Sequence, residues 1–164
     1  MAFNQQDTEC MALALKLSKL GRGSVGANPM VGCVITRDDN IIAQDYHRQY
    51  GESHAEVNAL DQINHKAHNC NVYVTLEPCS HQGKTPPCVK ALINANVSKV
   101  FIATLDSNPE VSGSGVRLLR DSGIEVEVGL LENAALEVNR GFFKRMKTGL
   151  PFVTSKIAMS LDGR

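Results

Sequence analysis

The chain is 164 residues long, with 43% hydrophobic and 21% charged residues. This size and composition predict one compact domain with a real core, and they exclude intrinsic disorder as the main state. Seventeen Lys plus Arg balance seventeen Asp plus Glu, so the net positive charge of a dedicated nucleic-acid binder is missing. We expect a small-molecule enzyme rather than a nucleic-acid-binding protein.

The sequence gives no sign of export or of membrane insertion. No apolar run reaches the roughly 20 residues that a membrane-spanning helix needs, and the first residues lack a signal-peptide pattern. We therefore expect a cytoplasmic protein with no membrane partner. In a reducing cytosol, the five cysteines would be buried thiols, metal ligands or catalytic groups rather than disulfides.

Hydrophobic periodicity predicts a helix, a hairpin, a helix and a strand in the first half of the chain. The first helix covers Asp7–Leu20, with Asp7 as its N-cap. The elements that follow are strands over Met30–Thr36 and Ile41–Tyr46, a helix over His54–Ile63 and a strand over Asn71–Leu76.

The second half alternates helices and strands. The pattern predicts helices over Cys88–Ala95, Gly115–Ser122 and Leu131–Lys147, and strands over Lys99–Thr104, Glu125–Val128 and Phe152–Met159. Alternation of this kind after a hairpin predicts an α/β fold of three layers, α/β/α.

The last segments of the sequence bear on domain organisation. The strand expected over Phe152–Met159 has no partner after it, which suggests a second domain that begins near Pro151 and is cut off. On the last helix, Phe142, Phe143 and Met146 would form an exposed apolar patch unless that domain or another subunit covered them.

Two short segments carry residues suited to metal chemistry. His54 and Glu56 stand at the start of a predicted helix, where a metal ligand and a proton carrier would share one space. His-x-Glu alone is common by chance, and taken by itself it is better explained as an exposed polar helix start. Cys79 and Cys88 flank a loop of Gly, Pro and polar residues that is long enough to bring the two sulfurs together.

His54, Cys79 and Cys88 make a three-ligand set for catalytic zinc, which leaves the fourth position to water. A structural zinc site would need a fourth protein ligand, for which His81, Cys70 and Cys33 are the alternatives. Cys33 lies in an apolar strand, and we assign it, Cys70 and Cys10 to packing. His81 suits the polar rim of a site as well as it suits a metal.

Glu56 has a role if zinc is catalytic, because a carboxylate beside the metal can take a proton from water and give it to a leaving group. His-x-Glu with a later Pro-Cys and a further Cys is the pattern of zinc-dependent deaminases. The spacing from Cys79 to Cys88 is wider than the usual Pro-Cys-x-x-Cys, so the pattern does not identify the substrate.

Longer motifs resemble one family. HAEVNAL (54–60), VTLEPCSHQGKTPPC (74–88), NPMVGCVI (28–35) and LDSNPEVSGSG (105–115) are similar to the deaminase half of the bifunctional riboflavin-biosynthesis deaminase/reductases. The resemblance implies a cytidine-deaminase-like fold with a mixed sheet. It implies a zinc-dependent deaminase domain over 1–147, and over 148–164 the junction and first strand of a truncated reductase domain. Ala158 would belong to the NADP site of that reductase, which would add NADPH to Zn²⁺ as a cofactor.

The resemblance also implies the reaction. It is removal of the 2-amino group from 2,5-diamino-6-ribosylamino-4(3H)-pyrimidinone 5′-phosphate, with Glu56 as the catalytic acid and base. The substrate-binding residues that match the family's motifs are Asn28, His47, Lys84, Asp106 and Asn108. A homo-oligomer, dimer or tetramer, is expected. Two alternatives stay open: a deaminase of nucleic-acid or free nucleoside bases, and a zinc module that serves folding alone.

Overall fold

The structure is a computed structural model that describes residues 3–107, 112–160 and 162–163. The strands are β1 (Gly32–Arg37), β2 (Asn40–Tyr46), β3 (Cys70–Val74), β4 (Lys99–Ile102) and β5 (Glu125–Val128). The helices are α1 (Gln5–Ser18), α2 (Ala55–Gln62), α3 (Cys88–Asn94), α4 (Ser114–Asp121), α5 (Glu132–Val138) and α6 (Arg140–Thr148), and a 3-10 turn (Lys19–Gly21) follows α1.

The five strands form one mixed sheet in the order β2-β1-β3-β4-β5. β1 is antiparallel to β2 and β3, whereas β3, β4 and β5 run parallel. Alternate side chains of each strand face opposite layers. Cys33 and Ile35 face the core shared with α2, α3 and α4, while Val34 faces α1 and α5. The predicted three-layer α/β/α architecture is confirmed.

The first helix begins earlier than predicted. Asn4, not Asp7, is the N-cap of α1: its side chain accepts a hydrogen bond from the Asp7 N–H, and the Asp7 side chain accepts one from the Asn4 N–H. The prediction of Asp7 as N-cap was wrong because Asp7 is the third helical residue of a capping box, a motif that needs both residues.

Glycine at position 32 lets α1 pack directly on the sheet. A Cβ at this position would lie 2.0 Å from the Ala14 carbonyl oxygen in α1. Only a residue without a side chain fits at such a distance.

The long helix predicted over Leu131–Lys147 is wrong, because α5 and α6 are separate helices divided at Asn139. The Asn139 side chain is buried and pairs with both backbone groups of Met30. It accepts from the Met30 N–H and donates to the Met30 carbonyl oxygen, both at 2.8 Å. This pairing ties the last two helices to the segment that enters β1.

The strand predicted over Phe152–Met159 is also wrong. Residues 150–160 form neither helix nor strand and are exposed, with Val153 and Ile157 at 77% and 75%. Apolar and β-branched residues form a strand only where another strand supplies backbone partners. The prediction of an exposed apolar patch on α6 is also partly wrong, since Phe143 is buried and Phe142 is half-buried.

Within the residues that the structure describes, none of the helices has the length and apolar character needed to span a bilayer.

The Asn139 pairing predicts a measurable loss of stability. Asn139→Ala leaves the half-buried amide and carbonyl of Met30 without their partner, so we expect a cost of about 1–3 kcal/mol in the free energy of unfolding. The matched control Asn133→Ala removes an exposed amide from α5 and should change stability by less than about 0.5 kcal/mol. Urea unfolding measures both, and equal effects would contradict the role given to Asn139.

Candidate active site

The register of the strands collects the candidate residues at one edge of the sheet. Gly32 at the start of β1 pairs with Tyr46 at the end of β2, and the next residue, Cys33, pairs with Val74 at the end of β3. Val74 also pairs with Ile102 at the end of β4. The segments before β1 and after β2, β3 and β4 therefore emerge side by side, at the carboxyl ends of parallel strands, where α/β proteins usually bind ligands.

The three predicted metal ligands meet at this edge. His54 is the N-cap of α2, Cys79 lies in the loop after β3, and Cys88 is the first residue of α3. Their ligand atoms lie within 4.8 Å of one another, with His54 Nδ1 3.2 Å from Cys88 Sγ and 3.5 Å from Cys79 Sγ. Tetrahedral zinc bonds of about 2.3 Å to sulfur and 2.0–2.1 Å to nitrogen imply N···S separations of about 3.5 Å. The donor set fits zinc held by three protein ligands.

The environment of Cys79 favours its thiolate, the form that binds metals. The Cys88 thiol and the His54 ring form hydrogen bonds to the Cys79 sulfur, and together they lower the pKa of Cys79 against the opposing effect of burial. The backbone N–H of Cys88, at the start of α3, also donates to this sulfur at 3.3 Å.

The alternative ligands are not part of the cluster. Cys33 and Cys70 are fully buried in the core on the α2 side of the sheet, and Cys10 is buried in the core on the α1 side. His81 lines the neighbouring cavity, but among the described residues only His54, Cys79 and Cys88 bring their donor atoms together.

Glu56 lies beside the cluster. It is the second residue of α2, it is 3% exposed, and it lines the cavity next to the cysteines. Burial raises the pKa of Glu56, an effect that the neighbouring His54 partly offsets. The Cys88 thiol lies beside its carboxyl group. A buried carboxyl in this position could hold a proton beside a metal bound by the cluster.

A cavity of about 370 Å³ opens above the cluster. His54, Glu56 and Cys79 line it. Four of the five residues that the resemblance assigns to substrate binding also line it: Asn28, His47, Lys84 and Asp106. The fifth, Asn108, lies outside the described residues.

His47 presents an unsatisfied polar atom in this region. The residue is 3% exposed, and its Nδ1 donates to the Ser53 carbonyl oxygen at 3.1 Å. Its Nε2 is buried and has no hydrogen-bond partner among the described residues. The ring packs edge-to-face on His54, with centroids 5.2 Å apart. Burial lowers the pKa of His47. A buried polar atom without a partner is a natural contact for a ligand.

Lys84 reaches across the mouth of the cavity. Its ammonium lies 4.1 Å from the centroid of the Tyr50 ring, a cation–π contact that joins the loop after β2 to the loop between Cys79 and Cys88. Tyr50 was not identified from the sequence, where nothing links a loop tyrosine to a lysine so far along the chain.

Glu77 was also missed by sequence reasoning. It is 4% exposed, lines the cavity, and directly precedes Pro78 and Cys79. Its carboxylate accepts four backbone hydrogen bonds, from the N–H groups of Asp106, Gly113, Gly115 and Val116. A charged residue between a buried strand and a proline is the sequence signal that could have drawn attention to it.

The last helix supplies an apolar wall to the cavity. Phe142 and Met146 of α6 line it, whereas the sequence suggested only a surface patch for another domain to cover. Ala158, assigned to a cofactor site, is not among the lining residues and belongs to the exposed segment 150–160.

Comparison with known proteins agrees with this geometry. Residues 4–104 match the family described as the cytidine and deoxycytidylate deaminase zinc-binding region. The chain is 50% identical over 146 residues to the diaminohydroxyphosphoribosylamino-pyrimidine deaminase of Buchnera aphidicola subsp. Schizaphis graminum, a match that covers 89% of this chain and 99% of that protein.

Longer relatives match over their deaminase portion. The riboflavin biosynthesis protein RibD of Escherichia coli is 50% identical over 159 residues, which is 97% of this chain and 43% of that protein. The crystal form 1 structure of Acinetobacter baumannii RibD superposes with a TM-score of 0.94 at 50% identity, covering 98% of this chain and 45% of that one. The chain thus spans less than half the length of these RibD relatives. It belongs to the diaminohydroxyphosphoribosylaminopyrimidine deaminase family of riboflavin biosynthesis, within the zinc-binding cytidine deaminase fold.

Proposed function

We propose that this chain catalyses the hydrolytic deamination of 2,5-diamino-6-ribosylamino-4(3H)-pyrimidinone 5′-phosphate to 5-amino-6-ribosylaminouracil 5′-phosphate and ammonia. The observation that carries the proposal is the His54, Cys79 and Cys88 cluster beside a cavity that His54, Cys79 and the buried Glu56 line. A zinc module that served folding alone would have no use for an open cavity or for a buried carboxyl beside its ligands.

His54 Nδ1 and the sulfurs of Cys79 and Cys88 are the groups that would hold the metal. When bound there, zinc supplies the Lewis acidity that makes water a competent nucleophile near neutral pH. The chain's own contribution is to fix three donors on the starts of α2 and α3 and on the loop after β3. This arrangement leaves the cavity side of the cluster to water and substrate.

Glu56 carries the proton in this proposal. It lies on the cavity beside the ligand cluster, so it can take a proton from the attacking water. It then delivers that proton to the amino group as ammonia leaves, the role that a non-ligand glutamate has in zinc deaminases.

The loops around the cavity bind the rest of the substrate. Lys84 supplies the positive charge for the 5′-phosphate, and the Tyr50 ring keeps its ammonium at the mouth of the cavity. Asn28 and Asp106 offer polar groups to the base and ribose, and the unpartnered Nε2 of His47 offers another. Asn108, outside the described residues, completes the proposed set.

We also propose a domain organisation and an oligomeric state. RibD relatives are more than twice as long as this chain, and we propose that 1–147 is the deaminase domain and 148–164 the junction with a reductase domain. Ala158 would then serve an NADPH site of that domain. A cytoplasmic homo-oligomer, dimer or tetramer, is the proposed working form.

Ammonia release from the zinc-loaded chain tests the proposed reaction. We expect turnover of the diaminopyrimidinone ribosyl phosphate and none of cytidine or of a tRNA anticodon stem-loop, measured in parallel. Turnover of either alternative instead would assign the chain to nucleoside or nucleic-acid deaminases. Stoichiometric zinc with no turnover of any substrate would contradict the proposal that this domain is active by itself.

Substitution of Glu56 separates proton transfer from metal binding. Glu56→Gln should keep one zinc per chain, because no ligand is lost, and should lower kcat by a factor of about 10² or more. Cys88→Ser should lose both zinc and activity, whereas the exposed control Glu9→Gln on α1 should lose neither. Zinc content by mass spectrometry and ammonia release read out the three variants. Full turnover by Glu56→Gln would remove Glu56 from the mechanism.

Substitution of Lys84 tests recognition of the phosphate. A hydrogen bond to a charged group contributes about 1.5–3 kcal/mol, so Lys84→Met should raise KM roughly tenfold to a hundredfold, with kcat changed much less. The substrate without its phosphate should show almost no difference between Lys84→Met and the unmodified chain. Lys90→Met, an exposed lysine on α3, is the control. An equal KM increase for both substrates would argue against a phosphate contact.

A further inference from the structure

The fold contains a second buried glutamate whose surroundings differ from those of Glu56. Glu77 Oε2 accepts from the N–H groups of Asp106 at 3.1 Å and Gly113 at 3.0 Å. Its Oε1 accepts from those of Gly115 at 2.9 Å and Val116 at 3.3 Å. One carboxylate thus holds both ends of the connection between β4 and α4.

Glu77 also supplies the cap that α4 lacks in its own sequence. The N-cap of α4 is Gly113, which has no side chain to accept a hydrogen bond. Gly115 and Val116, in the first turn, donate to the Glu77 carboxylate instead. An anionic acceptor at a helix N-terminus is favourable both as a hydrogen-bond partner and through the helix dipole.

The start of α4 packs against Glu77 and Pro78 so closely that no side chain fits at Gly115. A Cβ at Gly115 would lie 2.3 Å from the Pro78 carbonyl oxygen and 3.1 Å from Glu77 Oε1. The first turn of α4 therefore rests directly on the Glu77–Pro78 backbone, which leads into the metal ligand Cys79. The backbone N–H of Glu77 donates to the Thr104 carbonyl oxygen at 3.0 Å, so the segment just after β4 is held at the same point.

We propose that Glu77 is a positioning residue that fixes Asp106 at the cavity and thereby sets the affinity for the substrate. The inference rests on the proposed function, in which Asp106 contacts the substrate. Glu77 acts on it through the Asp106 amide, without taking part in proton transfer. Glu77→Gln keeps the shape of the side chain, but its amide NH₂ would face two N–H donors and lose both bonds. The Asp106 segment would then no longer be held at its place in the cavity.

A double-mutant cycle with Asp106→Ala tests the proposal. Glu77→Gln should raise KM about tenfold while kcat stays within a factor of two and zinc stays at one per chain. In the Asp106→Ala background the same change should alter KM by less than a factor of two, because the group that Glu77 positions is gone. An equal KM increase in both backgrounds, an unchanged KM, or a loss of zinc would overturn the proposal.

Asp7→Asn is the matched control for a buried carboxylate of purely structural use. Asp7 is 8% exposed and accepts from the Tyr73 hydroxyl on the other face of the sheet. Its substitution should lower the unfolding midpoint and leave KM unchanged. If Glu77→Gln does not fold, as judged by circular dichroism, Glu77→Asp replaces it in the cycle, since it keeps the charge but is too short to reach all four amides.

Turnover by the unmodified chain distinguishes a failure of the proposed function from a failure of the positioning role of Glu77. If that chain does not turn over the diaminopyrimidinone nucleotide, the proposed function fails before Glu77 is tested. If it is active and the cycle shows no coupling between Glu77 and Asp106, only the positioning role fails.

Discussion

The site depends on the convergence of two helix N-termini with the end of one strand. His54 precedes the first turn of α2, Cys88 opens α3, and Cys79 follows β3. A helix start offers free N–H groups and a positive dipole end, and both favour the thiolate that a metal requires. The Cys88 amide that donates to the Cys79 sulfur is a direct example. The sheet register and the cores on the two faces of the sheet hold together the three chain segments that carry His54, Cys79 and Cys88.

Much of this could be predicted from the sequence, because the signals were local. The strand alternation, the His-x-Glu at a helix start and the cysteine-bounded loop each depend on residues close together in the chain. The errors arose where a distant partner decides the structure. Asn139 interrupts a helical pattern because it pairs with Met30, and among the described residues no strand pairs with the Phe152–Met159 stretch. Nothing near Glu77 in sequence indicates that Gly113 or Val116 would donate to it.

Two buried glutamates border the same cavity, and their hydrogen bonds give them different uses. Four backbone N–H groups surround the Glu77 carboxylate, so it is committed to holding the chain. Glu56 is equally buried but has no such cage of backbone donors among the described residues, and its neighbours are the side chains proposed to hold the metal. A carboxylate saturated by amides stays an acceptor, whereas one beside a metal centre can carry a proton.

The groups proposed for the chemistry and those proposed for substrate binding lie on different kinds of chain segment. The proposed metal ligands and Glu56 are fixed to the starts of α2 and α3 and to the loop after β3. The residues proposed for the substrate lie in loops, at Asn28, His47, Lys84 and Asp106. Loops can change length without disturbing the sheet. The long Cys79–Cys88 connection is such a loop, and it carries Lys84 to the Tyr50 ring. Loops that select a substrate must still be held at fixed positions, and buried contacts such as the Glu77 cage and the Asn139–Met30 pair provide that support.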